Sequence, residues 1–228
     1  MSGSQRFVRK SVLSVGLAAI SLLCVRPAHA QGITFTPYVG SFYGISKYFD
    51  NDIDLSNFGG TGTARFTMQQ NNTAMFGARL AFPIGATLSV EGAVGYLSSE
   101  VRFTGKDAAG PGVDLATSLK GNMIVGSVRG VIRPRRSNLN LIAGLAAVHL
   151  GGKAWDFDTN DKLTSIGGVV GFGLRAAVTP HLALNITAEG YIYGFDPDTS
   201  DDTANGFFSN KTQTNLVVSI GIPINLSH

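Results

Sequence analysis

Residues Thr73–Leu97, TAMFGARLAFPIGATLSVEGAVGYL, decide how the chain is read. Ala74, Phe76, Ala78, Leu80 and Phe82 recur at every second position, and after Pro83-Ile84-Gly85-Ala86 the pattern resumes at Leu88, Val90, Gly92, Val94 and Tyr96. Alternate side chains of a strand point to opposite faces, so this is a hairpin with one apolar face. The opposite face carries small residues and a single charge on each arm, Arg79 and Glu91. Pairing centred on Gly85 sets those two charges opposite each other. Each apolar row spans about ten residues, enough for a tilted strand to cross a bilayer.

The same texture recurs along the chain. Ile33–Ile45 places Ile33, Phe35, Val39, Tyr43 and Ile45 on one side. Leu119–Ile132 aligns Ile124, Val128 and Ile132 against Ser127 and Arg129. In Leu139–His149 the two sides are hard to separate, because Leu139, Leu141 and Leu145 oppose Ile142 and Val148. Ser165–Val178 sets Val170, Phe172 and Leu174 against Gly171, Gly173 and Arg175. Leu182–Tyr193 sets Leu184, Ile186 and Ile192 against Asn185, Thr187, Glu189, Tyr191 and Tyr193. Gln213–Leu226 closes the series with Leu216, Val218, Ile220, Ile222 and Ile224 in a row. The count is eight strands, with no helical period to compete.

Connections alternate in length. Those at 83–86, 133–138 and 179–181 are tight, whereas 46–72, 98–118, 150–164 and 195–212 are long, polar and turn-rich. Short turns at the periplasmic end and long loops outside are the pattern of an up-and-down membrane barrel, and an even strand number returns both ends of the barrel to the short-turn side. A soluble barrel hides its apolar rows and covers its exterior with charge. Here the second faces are mostly Gly, Ala, Ser, Thr and Asn, which suits a narrow interior, so the apolar rows are expected to face lipid. Pro37 and Pro223 each delete a ladder donor, and both fall on the terminal strands near the periplasmic rim, where water reaches the unpaired groups.

Residues 1–30 read as a cleaved secretory signal peptide. Arg6, Arg9 and Lys10 precede a 14-residue apolar run, Ser11–Cys24, and Ala28-His29-Ala30 ends in small residues. Leu23 stands where lipoprotein processing at Cys24 requires a small residue. With Arg6, Arg9, Lys10 and Arg26 removed, 14 basic residues face 15 acids in residues 31–228, so the overall charge of +3 belongs to the leader. That removes the compositional case for nucleic-acid binding. Residues 31–228 contain no cysteine, which excludes disulfides and thiolate chemistry. Their length suits one domain.

The hairpins FGARLAFPIGATLSVEGAVGYL and GFGLRAAVTPHLALNITAEGYIYG, with the leader and the eight alternating strands, resemble small outer-membrane barrels of the OmpA/OmpX and opacity-protein type. The resemblance spans residues 31–228 and implies an all-β, eight-stranded antiparallel up-and-down barrel in the cell outer membrane. It departs from that pattern at Ile224-Asn225-Leu226-Ser227-His228, where such barrels commonly finish on an aromatic residue.

Candidate chemistry is sparse. Arg79, Glu91, Arg129, Arg175 and Glu189 share the inward face and are expected to form a structural charge cluster that plugs a narrow lumen, with an ion path as the rival reading. Asp156-Phe-Asp158-Thr-Asn160-Asp161 begins like a calcium loop but lacks its central glycine, and Gly167 stands where the bidentate Glu belongs. With Asp196–Asp202 it is read as solvated loop acid, so no metal and no cofactor is expected. Gly171-Phe-Gly173-Leu-Arg-Ala176 mimics a dinucleotide fingerprint but lies within a strand. A lipid A hydrolase or acyltransferase needs a nucleophile beside a His base; of His149, His181 and His228 only His149 sits at a loop-side strand end, and AVHLGG offers no serine. No catalytic residue is assigned. Tyr43, Tyr96, Trp155, Tyr191 and Tyr193 lie near loop-side ends, where lipid-facing aromatics form a girdle; Tyr191 and Tyr193 point inward instead. The expected role is structural or surface-interaction: membrane integrity, adhesion, or contact with host or environmental ligands through the loops. The partners are outer-membrane lipid and lipopolysaccharide, and the protein is expected to be a monomer. A small pore is the alternative, ahead of a lipid A-modifying enzyme.

Overall fold

The computed structural model of the protein describes residues 32–54, 62–107, 115–134, 137–156, 163–179, 182–195 and 211–226. The predicted signal peptide therefore lies outside the described residues. Eight long strands close on themselves: β1 (Thr34–Gly44), β4 (Thr73–Pro83), β5 (Leu88–Asp107), β6 (Leu115–Ile132), β7 (Leu139–Gly151), β8 (Thr164–Thr179), β9 (Leu182–Phe195) and β10 (Lys211–Gly221). Each pairs antiparallel with its neighbour, and β1 completes the ring by pairing with β4 on one side and β10 on the other. Closure satisfies the backbone groups that a sheet edge would leave unpaired.

The alternation read from the sequence sets the two surfaces. Phe76, Val90, Val94, Ile124, Val128, Leu145, Phe172 and Ile220 are exposed on the outside, while Arg79, Glu91, Arg129, Thr187, Glu189 and Ser219 are buried within. Leu145 is 68% and Ile166 79% exposed. Such a continuous apolar exterior suits hydrocarbon rather than water.

Two expectations change. The opening hairpin pairs Met75 with Leu97 and Arg79 with Ala93, so it centres on Ala86 rather than Gly85. Its tip is closed by the Ile84 N–H donating to the Leu88 carbonyl, 2.8 Å, with Gly85 at φ 138°. Arg79 and Glu91 are consequently diagonal, not opposite. Secondly, the stretches 46–72 and 98–118 are largely paired strand. β2 (Phe49–Asp54) and β3 (Thr63–Gln70) form a hairpin, and β3 pairs with the distal half of β5, from Val101 to Asp107, beyond the part that β4 occupies. Residues 98–107 and 115–118 prolong β5 and β6 in one ladder. Their polarity comes from exposed Glu100, Arg102 and Lys106 alternating with inward Ser99, Val101 and Phe103; a strand standing in water on one side reads as polar without being irregular.

The ring is irregular at two places near the short turns: the β8–β9 register shifts between Ala177 and Thr179, and the β1 seam is interrupted. The β1–β10 ladder begins at Tyr38 opposite Gly221, and pairing resumes below it where β11 (Ile224–Asn225) meets Phe35 and Thr34. Pro37 and Pro223 fall in this gap on adjacent rungs, bridged only by the Ile222 N–H donating to the Pro37 carbonyl, 3.2 Å. The sequence placed both prolines near this rim; their coincidence at one seam follows from the register.

Candidate functional site

Inside the ring, strands far apart in sequence bring four charges into one chain of contacts. Glu189 on β9 accepts from Arg79 Nη2 at 2.9 Å through Oε1, and its Oε2 lies 2.8 Å from Arg129 Nη1. Arg129 Nε donates to Glu91 Oε1 at 2.8 Å, and its Nη2 contacts the same oxygen. Arg129 and Glu91 face each other in the β5–β6 register, which fixes that pair locally. Arg79 Nη2 also donates to Thr187 Oγ1 (2.8 Å) and Ser219 Oγ (2.7 Å), and the Tyr191 hydroxyl donates to Glu189 Oε2 (2.8 Å). The guanidinium of Arg79 lies 4.2 Å from the ring centroid of Tyr38. That ring occupies a slot made by glycines: a Cβ on Gly77 would come within 2.4 Å of it. Two cations and two anions cancel, and the hydroxyls take up further hydrogen-bonding positions, which is what buried charge requires.

Arg175 does not join this network. It is exposed, lies opposite Asn185 toward the short-turn end, and makes no ion pair with the described acids. The expected five-residue cluster is thus four residues with one outlier.

Toward the long-connection end the lumen is not lined by small residues, as the sequence suggested. Met75, Leu97, Met123, Val125, Val148, Val169 and Val217 are buried there. Above them Tyr48, Trp155 and Phe195 pack edge to face, with Tyr48 4.8 Å from Trp155 and 4.9 Å from Phe195. The Tyr48 hydroxyl meets Gln70 Oε1 and the Tyr193 hydroxyl, both at 3.0 Å, and Asn215 Nδ2 donates to Tyr193. Trp155, expected in a loop, sits on a single 3-10 turn (Lys153–Trp155) and is 1% exposed. Sequence reasoning missed this apolar stopper. Its signal was the two-sided hydrophobicity of β7, where Ile142 and Val148 prove to face inward.

The strand extension carries the other feature of note, an apolar cavity of about 470 Å³ lined by Phe49, Phe66, Met68, Phe103, Thr117 and Leu119 among others. In the same β2–β3 hairpin Asp50 accepts from Arg65 Nε at 2.9 Å and from Lys47 Nζ at 3.0 Å. The Arg65 hydrogen bond, then that from Lys47, holds the Asp50 carboxyl well below the usual carboxylate range.

The remaining candidates stay apart. His149 Nδ1 lies 2.8 Å from Thr164 Oγ1 at an exposed site. His181, His228, Asp158, Asp161 and the Asp196–Asp202 run lie outside the described residues. Among the described residues no group of three or more His, Cys, Asp or Glu is placed to hold a metal ion. Gly171 and Gly173 are in mid-strand, where a Cβ on Gly171 would lie 2.5 Å from the Ala188 carbonyl oxygen. Tyr43 and Tyr96 are exposed on the outer surface.

The barrel is similar to that of OprG from Pseudomonas aeruginosa, at 12% identity and a TM-score of 0.52, over 86% of this chain and 98% of that one. AlkL is matched at 13% identity and a TM-score of 0.46, over 89% and 96% of the two chains. Neisserial surface protein A is matched at 16% identity and a TM-score of 0.39, over 86% and 98%. No curated protein matches significantly. The family model described as the outer membrane protein beta-barrel domain matches residues 15–221. The closed eight-stranded ring, its apolar exterior and this match over most of the sequence lead to one statement: the chain belongs to the outer membrane protein beta-barrel family.

Proposed function

We propose that the protein is a plugged barrel whose working part is the strand extension, acting in surface interaction (adhesion or contact with environmental ligands) while the ring contributes to membrane integrity. In this reading the signal peptide of residues 1–30 delivers the chain, and it sits as a monomer in phospholipid and lipopolysaccharide. Short turns lie in the periplasm and the extension stands outside. The observation that carries the reading is the apolar cavity on the extension: it offers Phe66 and Phe103 to an incoming partner. Exposed pockets of this kind on a rigid scaffold are where binding concentrates. The four-charge network and the aromatic stopper support a structural lumen over a pore. No enzymatic step is included, since His149 has no nucleophile assigned to it.

The test compares cells displaying the native protein with cells displaying Phe66→Ser/Phe103→Ser, with barrel integrity read from heat-modifiable gel mobility. Adhesion to hydrophobic surfaces and to host-cell monolayers is expected to fall several-fold while the mobility shift persists. Unchanged adhesion in both assays overturns the reading. Steady conductance steps of the purified protein in a planar bilayer, altered by Arg79→Ala, would establish the pore instead.

A further inference from the structure

Charge is distributed unevenly along the barrel axis. The turns at the short end, 83–88, 133–138 and 179–182, contain no Asp or Glu, while Arg133 and Arg175 stand at that end of the lumen. Arg133 follows the last residue of β6, and Arg175 lies on β8 where its N–H donates to the Asn138 carbonyl, 2.8 Å, so the two arginines flank the start of β7. By strand parity both side chains share the inward face with Arg129 and Gly173. Neither makes a salt bridge with the described acids. The nearest inward acid, Glu91, is engaged by Arg129.

Polar groups without partners gather at the same end. Ser89 Oγ, Arg133 Nε and Asn185 Oδ1 are buried and make no hydrogen bond. Ser89 itself is 3% exposed. Ser89 is the second residue of β5 and Asn185 the fourth of β9, so both lie just inside the short-turn mouth. Side-chain amide orientation is an assignment, and turning Asn185 over presents its Nδ2 donor in place of Oδ1. Burial lowers the Arg133 pKa and the Arg175 charge lowers it further, against a smaller opposing effect from Glu91. Two cations that repel one another, beside unused hydrogen-bonding groups, are relieved by an oxyanion between them.

We infer that the periplasmic mouth of the lumen is a phosphate-binding vestibule, with Arg133 and Arg175 as its cationic walls and Ser89 and Asn185 as hydrogen-bonding groups. Arginine forks match the paired oxygens of a phosphate group. The charge network of Arg79, Glu91, Arg129 and Glu189 forms the floor, so the site is blind and opens only toward the periplasm. Two sources supply this chemistry there: free phosphate, and the headgroup of an anionic phospholipid in the inner leaflet. Because the site is at the opposite end from the strand extension, it stands whether or not the extension binds a partner.

The experiment uses the full mature barrel in phosphatidylcholine nanodiscs in phosphate-free buffer. One arm titrates inorganic phosphate calorimetrically. The other includes phosphatidylglycerol and reads retained lipid by native mass spectrometry after detergent release. Saturable binding in the first arm identifies free phosphate, and selective retention in the second identifies the lipid. In either, Arg133→Gln/Arg175→Gln is expected to weaken binding by about tenfold or more, as loss of charge-assisted hydrogen bonds implies, whereas Lys120→Gln at the far end leaves it unchanged. Heat-modifiable mobility verifies that each variant is folded, and Arg175→Gln alone, at an exposed position, serves if the double variant is not. Binding in neither arm, or equal binding by the native protein and the arginine variants, overturns the inference.

Discussion

Glu189 engages two guanidinium groups at once, as Arg129 engages two carboxylates, so these two side chains hold the network together. A neutral isostere of Glu189 keeps the shape and removes the charge, leaving Arg79 and Arg129 buried against Glu91 alone. Glu189→Gln is therefore expected to lower stability by about 3 kcal/mol, as when one partner is withdrawn from a buried pair. Urea unfolding of the refolded barrel in micelles, followed by the emission of buried Trp155, measures this. Replacing Arg79, Glu91, Arg129 and Glu189 together by leucine and methionine should cost less than the single change, because no unpaired charge remains. If the single substitution proves neutral, the four charges are not mutually dependent.

At the scale of elements, the eight spanning strands were legible because lipid enforces a strict two-residue period on one face. The same rule identified which charges face inward. It did not identify their partners: Arg79 meets Glu189, 110 residues away, and that pairing depends on the closing register, which no local pattern records. The one contact predicted across the hairpin, Arg79 with Glu91, failed by a shift of the turn centre from Gly85 to Ala86. The extension was hidden for a different reason. In β2, β3 and the distal parts of β5 and β6 one side meets water, so polar residues separate the apolar positions, Phe49, Phe66 and Phe103 among them, and the acids of β2 read as loop.

Asp50 belongs to this scale because it ties β2 to β3 through Arg65. Its carboxyl is depressed in the folded state, so its contribution is fully present above the ordinary carboxylate range, near pH ~4, and is lost as pH falls below it. The partners are solvent-accessible, so the effect is local and modest. Hydrogen exchange in β2 and β3 should accelerate on acidification from about pH 4 to about pH 2 relative to the ring, after correction for intrinsic rates. Asp50→Asn should show the faster exchange already at neutral pH. An identical acid response in both proteins excludes this role.

Taken as a whole molecule, the ring combines a hydrocarbon-facing exterior with an interior filled in two ways, by compensated charge and, above it, by an apolar and aromatic stopper. One feature of the ring concerns how it fails. At the short-turn end the β8–β9 ladder shifts register between Ala177 and Thr179 but keeps pairing down to Leu182, whereas the β1–β10 ladder is broken where Pro37 and Pro223 meet and is resumed only by the two residues of β11. Under heat or tension a closed sheet has to unzip along one line. This seam offers the fewest bonds to break there, so opening should start at its periplasmic end and travel outward, with the amides of Thr34, Phe35 and Asn225 exchanging first among those of the spanning ladders. The chain's first and last spanning strands then become two free edges, and a barrel that tears this way comes apart as one ribbon.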